Sequence, residues 1–571
     1  MKPYAVEAIF HEPNSRFAFP LSKTSIQVRI QTKKADCDYI DVIFQDIYNW
    51  EKVNERHQWM FDTVRMTRRF SDEYSDYYVA DLNVSTKRFK YAFLLDGQVL
   101  YGQLGLYVGD VEMNHVHNYF TYPYINYSEL PQSPSWLSGL TWYQIFVDRF
   151  YTSSPRLNWS THPVTNQQIF GGNLKGVIQQ LDYLANLGIG GLYLNPIFES
   201  PTAHKYDTTD YYHIDSSFGS MNDLKELVHQ AHARNIKIML DGVFNHAGYE
   251  HPFFQDVIEQ QETSPYKDYF LVKSFPIEKK GSNGRPSYEC FGYAPNMPKW
   301  NTENPKVREY LSDIALYYAK EIGIDGWRMD VSEEPTHMLW REMNQKIRPI
   351  KPDFYFLAEN WYDANAWLSQ SQFDSVMNYT YTFALSDYFR KEIDVNTLKN
   401  RLHQLLWRYP DLLLKQLFNI IDTHDTARIK TQLPEYYMAI IGFIFAMPGT
   451  PNLYYGTEIG MEGDHDPDCR RPFAWDNYPA EITPIIERLI QFRHHTVAQS
   501  LDIIFDTYEN SLIFEKKNGE KLFGILSNEA KIQIPKRYQN LNAYDLLQGE
   551  ETVLESTRTN PYFIGLYLIK E

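Results

Sequence analysis

The 571-residue chain is 43% hydrophobic and 16% aromatic, enough to bury several cores, and its length predicts three or four domains. A formal net charge of −17 excludes nucleic acid and anionic membrane surfaces as partners, because phosphates would be repelled, while a neutral substrate is compatible. Cys37, Cys290 and Cys469 lie far apart and form no CxxC pair, so neither a disulfide framework nor a zinc site is expected, and a reducing, cytoplasmic compartment fits.

In chain order, MKPYAVEAIFHEP lacks the apolar h-region of a secretory signal, and Met1 is the expected mature start. Residues 1–124 carry short β-branched and aromatic runs such as TSIQVRIQT and FKYAFLL, with Asp96-Gly97 as a tight-turn dipeptide. They predict an N-terminal β-sandwich. Over 125–245 and 302–498, eight strand-like runs (WYQIFVD, IGGLYLN, IKIMLDGVF, GWRMD, FYFLAE, DSVMNY, LFNIID, NLYYG) alternate with helical patterns. One of these, MNDLKELVHQAHARN, places Leu224, Leu227, Val228 and Ala231 on one face with Asp223 in the first turn. The fold class is therefore α/β, a (β/α)8 TIM barrel. Residues 246–301, rich in Pro, Gly, Tyr and Phe, read as an irregular inserted domain after strand three. The longest apolar run, Tyr436 to Met447, stops at Pro448, well short of the roughly 20 residues that cross a bilayer, and predicts a buried helix. Residues 499–571 return to strands, with SLIFEKK and KLFGILS joined across Asn518-Gly519, and predict a C-terminal β-sandwich.

Three carboxylates close three of the barrel runs: Asp330 after strand four, Glu359 after strand five and Asp425 after strand seven. The C-terminal ends of strands are where barrel chemistry sits. Arg328 and Asp330 are two apart on a strand and share a face, so the guanidinium is expected to hold Asp330 ionised as a nucleophile. Glu359 closes the apolar run FYFLA, where desolvation is expected to favour its neutral form and suit it to give a proton. Glycosidic bond cleavage needs such a pair. His246 and His424 stand at strand ends beside these acids, and Asp241 and Asn245 organise the end of strand three.

In order and spacing, DGVFNH, GWRMD, LAEN and DTHD resemble the four signature regions of the α-amylase superfamily, glycoside hydrolase family 13. MPKWNTENP, YQIFVDRF and FGGNLKG are similar to its cyclomaltodextrinase, neopullulanase and maltogenic amylase subfamily, and EAIFHEP resembles the start of that group's starch-binding-type N-terminal module. The resemblance implies a retaining α-glucan hydrolase acting on α-1,4 bonds of cyclodextrins, short maltooligosaccharides and pullulan, with transglycosylation as a side reaction. It implies Asp330 as nucleophile, Glu359 as acid/base and Asp425 as the third acid, gripping sugar hydroxyls. Arg328, His246, His424 and Tyr206 are implied around the cleaved sugar, Asp466 and Arg470 at the next sugar, and Trp361 and Phe291 on the leaving-group side. A homodimer through the N-terminal module is implied as well.

Two departures stand out. Many relatives follow DRF with an Asn- and Asp-rich calcium loop; here it reads Tyr151 to Pro155 without a carboxylate, so no metal or other cofactor is expected to be required. The subfamily's VANEVDH appears as VSEEPTH, with Glu333 and Pro335 where Asn and Val are usual, which leaves product and transglycosylation preferences open. Two other readings remain: an α-1,6-acting oligo-glucosidase of the same superfamily, or a non-catalytic carbohydrate-binding barrel. The last would have lost at least one acid, and all three are present.

Overall fold

The structure is a computed structural model that describes all residues except 1–3, 54, 109–115, 127–129, 131–133, 155–158, 160–163, 282–283, 370, 477–480 and 571. It falls into two compact units, residues 1–132 with 399–412, and residues 133–398 with 413–571.

The first unit is a two-sheet module. One sheet orders Ala18–Pro20, Ser25–Lys33, Ser75–Asn83 and Thr67–Ser71; the other orders Gly105–Val108, Val99–Gly102, Phe89–Leu95, Ile40–Gln45 and Asp62–Arg65, with Phe120–Tyr122 added against Phe89–Leu95. Ile26, Val28 and Ile30 alternate along their strand and are fully buried in the same core as Phe89, Tyr91, Phe93 and Leu95, as a two-residue side-chain period requires. Asp96 and Gly97 both take positive φ (48° and 67°), and Gln98 N–H closes the turn on the Leu95 carbonyl at 3.0 Å. Residues 399–412 also belong here, a piece outside the expected 1–124 boundary. Trp407 packs with Phe17, Phe70 and Tyr77, while buried Arg29 pairs with Asp411 at 2.7 Å and donates to the carbonyls of Trp407 and Tyr409. An unpaired arginine could not be buried at that depth, so Asp411 is what allows it.

The second unit contains the closed parallel barrel of eight strands: β1 Trp142–Ile145, β2 Gly191–Leu194, β3 Lys237–Gly242, β4 Gly326–Met329, β5 Tyr355–Ala358, β6 Ser375–Asn378, β7 Phe418–Ile420 and β8 Thr450–Tyr454. Pairing of Trp142 with Asn452 closes the ring. All are buried apart from half-buried Lys237, as expected for strands covered on both faces. The helix Met221–His232 begins at Ser220, whose hydroxyl and Asp223 form a reciprocal capping box; it buries Leu224, Leu227, Val228 and Ala231. The apolar run becomes the helix Tyr437–Ala446, buried along all ten residues. Among the described residues no helix is long and apolar enough to cross a membrane.

The insertion after β3 holds the α-helix Pro252–Gln260, two short 3-10 turns at Gln261–Thr263 and Lys267–Tyr269, and isolated bridges such as His246 with Lys299 and Phe270 with Trp300, packed by Phe254, Tyr288 and Trp300. The C-terminal region is a six-stranded sheet plus the two-stranded ribbon Lys531–Gln533 and Thr557–Thr559, with Gly519 (φ 72°) turning between Ser511–Asn518 and Glu520–Leu526. None of the three cysteines is in a disulfide.

Candidate active site

The barrel register stacks the charges in two levels. Asp241 on β3 is the direct neighbour of Arg328 on β4, and Arg328 is the neighbour of Leu357 on β5. Paired residues share a face, so Asp330 and Glu359, each two residues further along, project from the next level above. Arg328 is fully buried between the levels. Its Nη1 donates to Asp241 Oδ1 and Asp330 Oδ1, both at 2.8 Å, and its Nη2 lies 2.7 Å from Glu359 Oε1. That last contact is an ion pair without hydrogen-bond alignment, since the Nη2 hydrogens are aimed at no acceptor.

One guanidinium therefore serves three buried carboxyls, which corrects the simple expectation that Arg328 holds Asp330 ionised. Burial pushes the Asp330 carboxyl well above the usual range, and the opposing pull of Arg328 does not restore it because Asp241 and Glu359 compete for the same cation. Burial likewise raises Asp241 to about 6. Arg328 is itself held more firmly protonated, its burial outweighed by Asp241 and Glu359. The surroundings expected for Glu359 also differ. Instead of an apolar pocket it meets the charge of Arg328 and two hydrogen-bond donors, the Val331 N–H at 2.9 Å and Trp361 Nε1 at 3.3 Å. Of the run FYFLA, Tyr355 and Leu357 join the cluster inside the barrel with Trp142 and Tyr193, while Phe354 and Phe356 pack against each other on the opposite face. Asp330 Oδ2, by contrast, is buried with no partner among the described residues, a free carboxyl oxygen in the wall of the cleft.

The cleft is a cavity of about 570 Å³, within the range of small-molecule sites. Its wall includes Asp330, Glu359, Asp425, Tyr206, His246, Phe291, Trp361, Asp466 and Arg470. Arg328 and His424 stand behind the wall. The His424 ring lies parallel to that of Tyr206 (5.4 Å, 1°); its Nδ1 meets the side-chain amides of Gln144 and Asn195, and its Nε2 contacts the Tyr206 hydroxyl and Asp425 Oδ2, the latter at 3.1 Å. Burial holds His424 well below the ordinary imidazole range and His246 at about 4, so both are neutral at pH 7. The Tyr206 hydroxyl also donates to Asp241 Oδ2 at 3.0 Å, while Asp425 Oδ1 is held by Arg470 Nη2 at 3.2 Å, and Arg470 Nη1 pairs with Asp466 at 2.8 Å. Phe291 stacks on His246 (5.3 Å), and Trp361 on Tyr379 (4.1 Å).

Further wall residues, His204, Met297, Val331, Glu334 and Tyr362 among them, were not singled out from sequence as binding groups. His204 immediately precedes the pair Lys205-Tyr206 and could have been found by that neighbourhood alone. In the loop after β1, the Thr152 hydroxyl accepts from Ser154 N–H and Ser153 donates to Asn173, so these oxygens are already engaged; Pro155 lies outside the described residues. Among the described residues, no group of three or more His, Cys, Asp or Glu is arranged to hold a metal ion.

Residues 144–554 match the model of the alpha amylase catalytic domain, and residues 4–126 that of the alpha amylase N-terminal ig-like domain. The chain is 37% identical to a cyclomaltodextrinase of Geobacillus thermopakistaniensis, covering 99% of each, and 40% identical to neopullulanase 2 of Thermoactinomyces vulgaris, covering 86% of this chain and 84% of that protein. A solved structure titled cyclomaltodextrinase superposes with a TM-score of 0.89 at 32% identity, over 99% of this chain and 100% of that one.

Proposed function

The chain belongs to the alpha-amylase family of glycoside hydrolases, and from that premise we propose that it is a retaining hydrolase of α-1,4-glucosidic bonds in cyclodextrins, short maltooligosaccharides and pullulan. The observation that carries the reading is the pair of carboxyls on one guanidinium at the cleft wall, one of them, Asp330, with a free oxygen. Asp330 Oδ2 forms the new bond to the anomeric carbon as the glycosidic bond breaks, and Glu359 gives its proton to the leaving oxygen. Water then loses a proton to Glu359 and displaces Asp330, so the configuration is kept. Turnover needs the proton on Glu359 and the charge on Asp330, and the cationic character growing at the anomeric carbon favours that distribution. Asp425 receives sugar hydroxyls once Arg470 yields it; Arg328 and His424 position the groups that touch substrate. A sugar hydroxyl in place of water gives transglycosylation.

The same reading includes a homodimer through the N-terminal module, a cytoplasmic location and no metal requirement. Exposed aromatic residues on that module, Phe10, Tyr48, Trp50 and Tyr74, support the first, the three cysteines outside any disulfide the second, and the engaged hydroxyls after β1 the third. Assay of the purified protein on β-cyclodextrin, pullulan and soluble starch tests the proposal, with cyclodextrin expected to be cut faster than starch. No reducing sugar from any of the three would sink it. Activity confined to isomaltose-type α-1,6 bonds would favour the oligo-glucosidase instead.

A further inference from the structure

The C-terminal sheet leaves a cavity where it meets a helix that follows the barrel. Leu568 pairs with Leu522 on one side and with Tyr544 on the other, and Tyr544 pairs with Glu551, so these four side chains share one face of the sheet. Alternating with them, Phe523, Ala543 and Tyr567 fill the core on the opposite face. Beside the first face runs the helix Thr483–Phe492, and the two enclose a cavity of about 340 Å³ lined by Arg488, Gln491 and Phe492 from the helix and by Tyr544, Leu546 and Leu568. That volume is at the small end of small-molecule sites, and no residue of its lining belongs to the catalytic cleft.

The charges around this cavity are already matched. Lys570 faces Glu551 at 2.7 Å and His495 faces Glu520 at 2.9 Å, while Arg488 donates Nε to the Leu546 carbonyl at 3.1 Å and Nη2 to that of Leu547. An anion would find each cationic side chain engaged, and a cation would find both carboxylates engaged. The Gln491 amide and the Tyr544 hydroxyl, by contrast, bond no described residue, and Tyr544 is only half-buried. An aromatic ring over an apolar floor of Phe492 and Leu568, with planar polar groups beside it, suits a neutral ligand that has both a C–H face and hydroxyls. A pyranose ring has both. We propose that this cavity is a second, non-catalytic sugar site, in which one glucose unit of an α-glucan stacks on Tyr544 and shares hydrogen bonds with Gln491 and Arg488 Nη1. The choice of glucan among sugars rests on the function proposed above; the site itself does not.

The test uses the full chain carrying Asp330→Asn, which holds a glucan without cutting it, and follows acetylation of Tyr544 by N-acetylimidazole through peptide mass spectrometry. Maltotriose is expected to slow that reaction severalfold, with half the effect near about 1 mM, and to leave Tyr212, exposed and outside the cavity, unchanged. Adding Gln491→Ala, a change on the exposed side of the helix, should raise the half-effect concentration about fivefold, the loss of one hydrogen bond. Inorganic phosphate should give no protection. Retardation in native gels containing maltodextrin supplies a second readout that does not depend on the reagent: adding Tyr544→Ala should speed migration, and adding Tyr544→Phe, which keeps the ring, should not. An unprotected Tyr544, protection by phosphate instead of maltotriose, or a Tyr544→Ala chain retarded as strongly as its parent overturns the inference, while cutting of β-cyclodextrin by the wild-type protein still supports hydrolase function. A wild-type protein that cuts no glucan although Tyr544 is protected overturns the proposed function alone.

Discussion

Replacing Asp330 by Asn should abolish turnover and stabilise the barrel at neutral pH. The amide keeps the shape and can still accept from Arg328 Nη1 through Oδ1, and the oxygen it replaces, Oδ2, has no partner to lose. What disappears is the nucleophile, together with one of three carboxyls that crowd a single buried guanidinium. A loss of at least about 10³ in kcat is expected, or about 4 kcal/mol of barrier at 1.36 kcal/mol per tenfold. The stability sign follows from the raised carboxyl. Folded Asp330 holds its proton above the pH at which the unfolded chain releases it, near 3.9, so the folded state binds more protons and wild-type stability falls as pH rises through that window. The Asn variant lacks this loss. Differential scanning calorimetry should therefore find the two proteins melting together near pH 4 and the variant melting higher at pH 7, with substrate release followed in parallel. More than a tenth of wild-type activity, or a variant that melts lower at pH 7 than at pH 4 relative to wild type, would refute the reasoning.

Three further outcomes are expected. Proton NMR of the first product from β-cyclodextrin should show the α-anomer, since Asp330 and Glu359 act as nucleophile and acid/base; an initial β-anomer contradicts them. Asp325, which is 2.6 Å from His232 and also faces Lys351 and Lys237, is lowered to about 2 by these partners against its burial. Its contribution, roughly 2 kcal/mol on that shift, is present above pH 4 and lost as pH falls toward 2, so the melting gap between wild type and Asp325→Asn should close over that range. A gap independent of pH would remove the electrostatic explanation. EDTA should leave activity and melting temperature unchanged, because a bound ion would stabilise the native state by mass action, and a drop reversed by calcium would overturn that expectation.

The sequence by itself determined the barrel. Eight apolar runs spaced by helical patterns point to a closed barrel, and each became a strand within two or three residues of its run. It determined local features for the same reason: Ser220 and Asp223 cap a helix, and Asp96-Gly97 and Asn518-Gly519 turn a hairpin, through contacts only a few residues long. It also placed three acids at strand ends, because position along a barrel strand follows from counting. Only the tertiary structure decided what those acids are paired with. Arg328 meets Asp241 and Glu359 from strands 87 and 31 residues away in sequence, and how one cation is shared among three buried carboxyls is a property of convergence that no spacing reveals. The same holds for residues 399–412. An amphipathic helix announces an apolar face but not what covers it, and Trp407 found Phe17, Phe70 and Tyr77 more than 300 residues away. Local pattern sets an element and its face; which partner that face meets, and what dielectric and charge come with it, is fixed only when distant segments pack together.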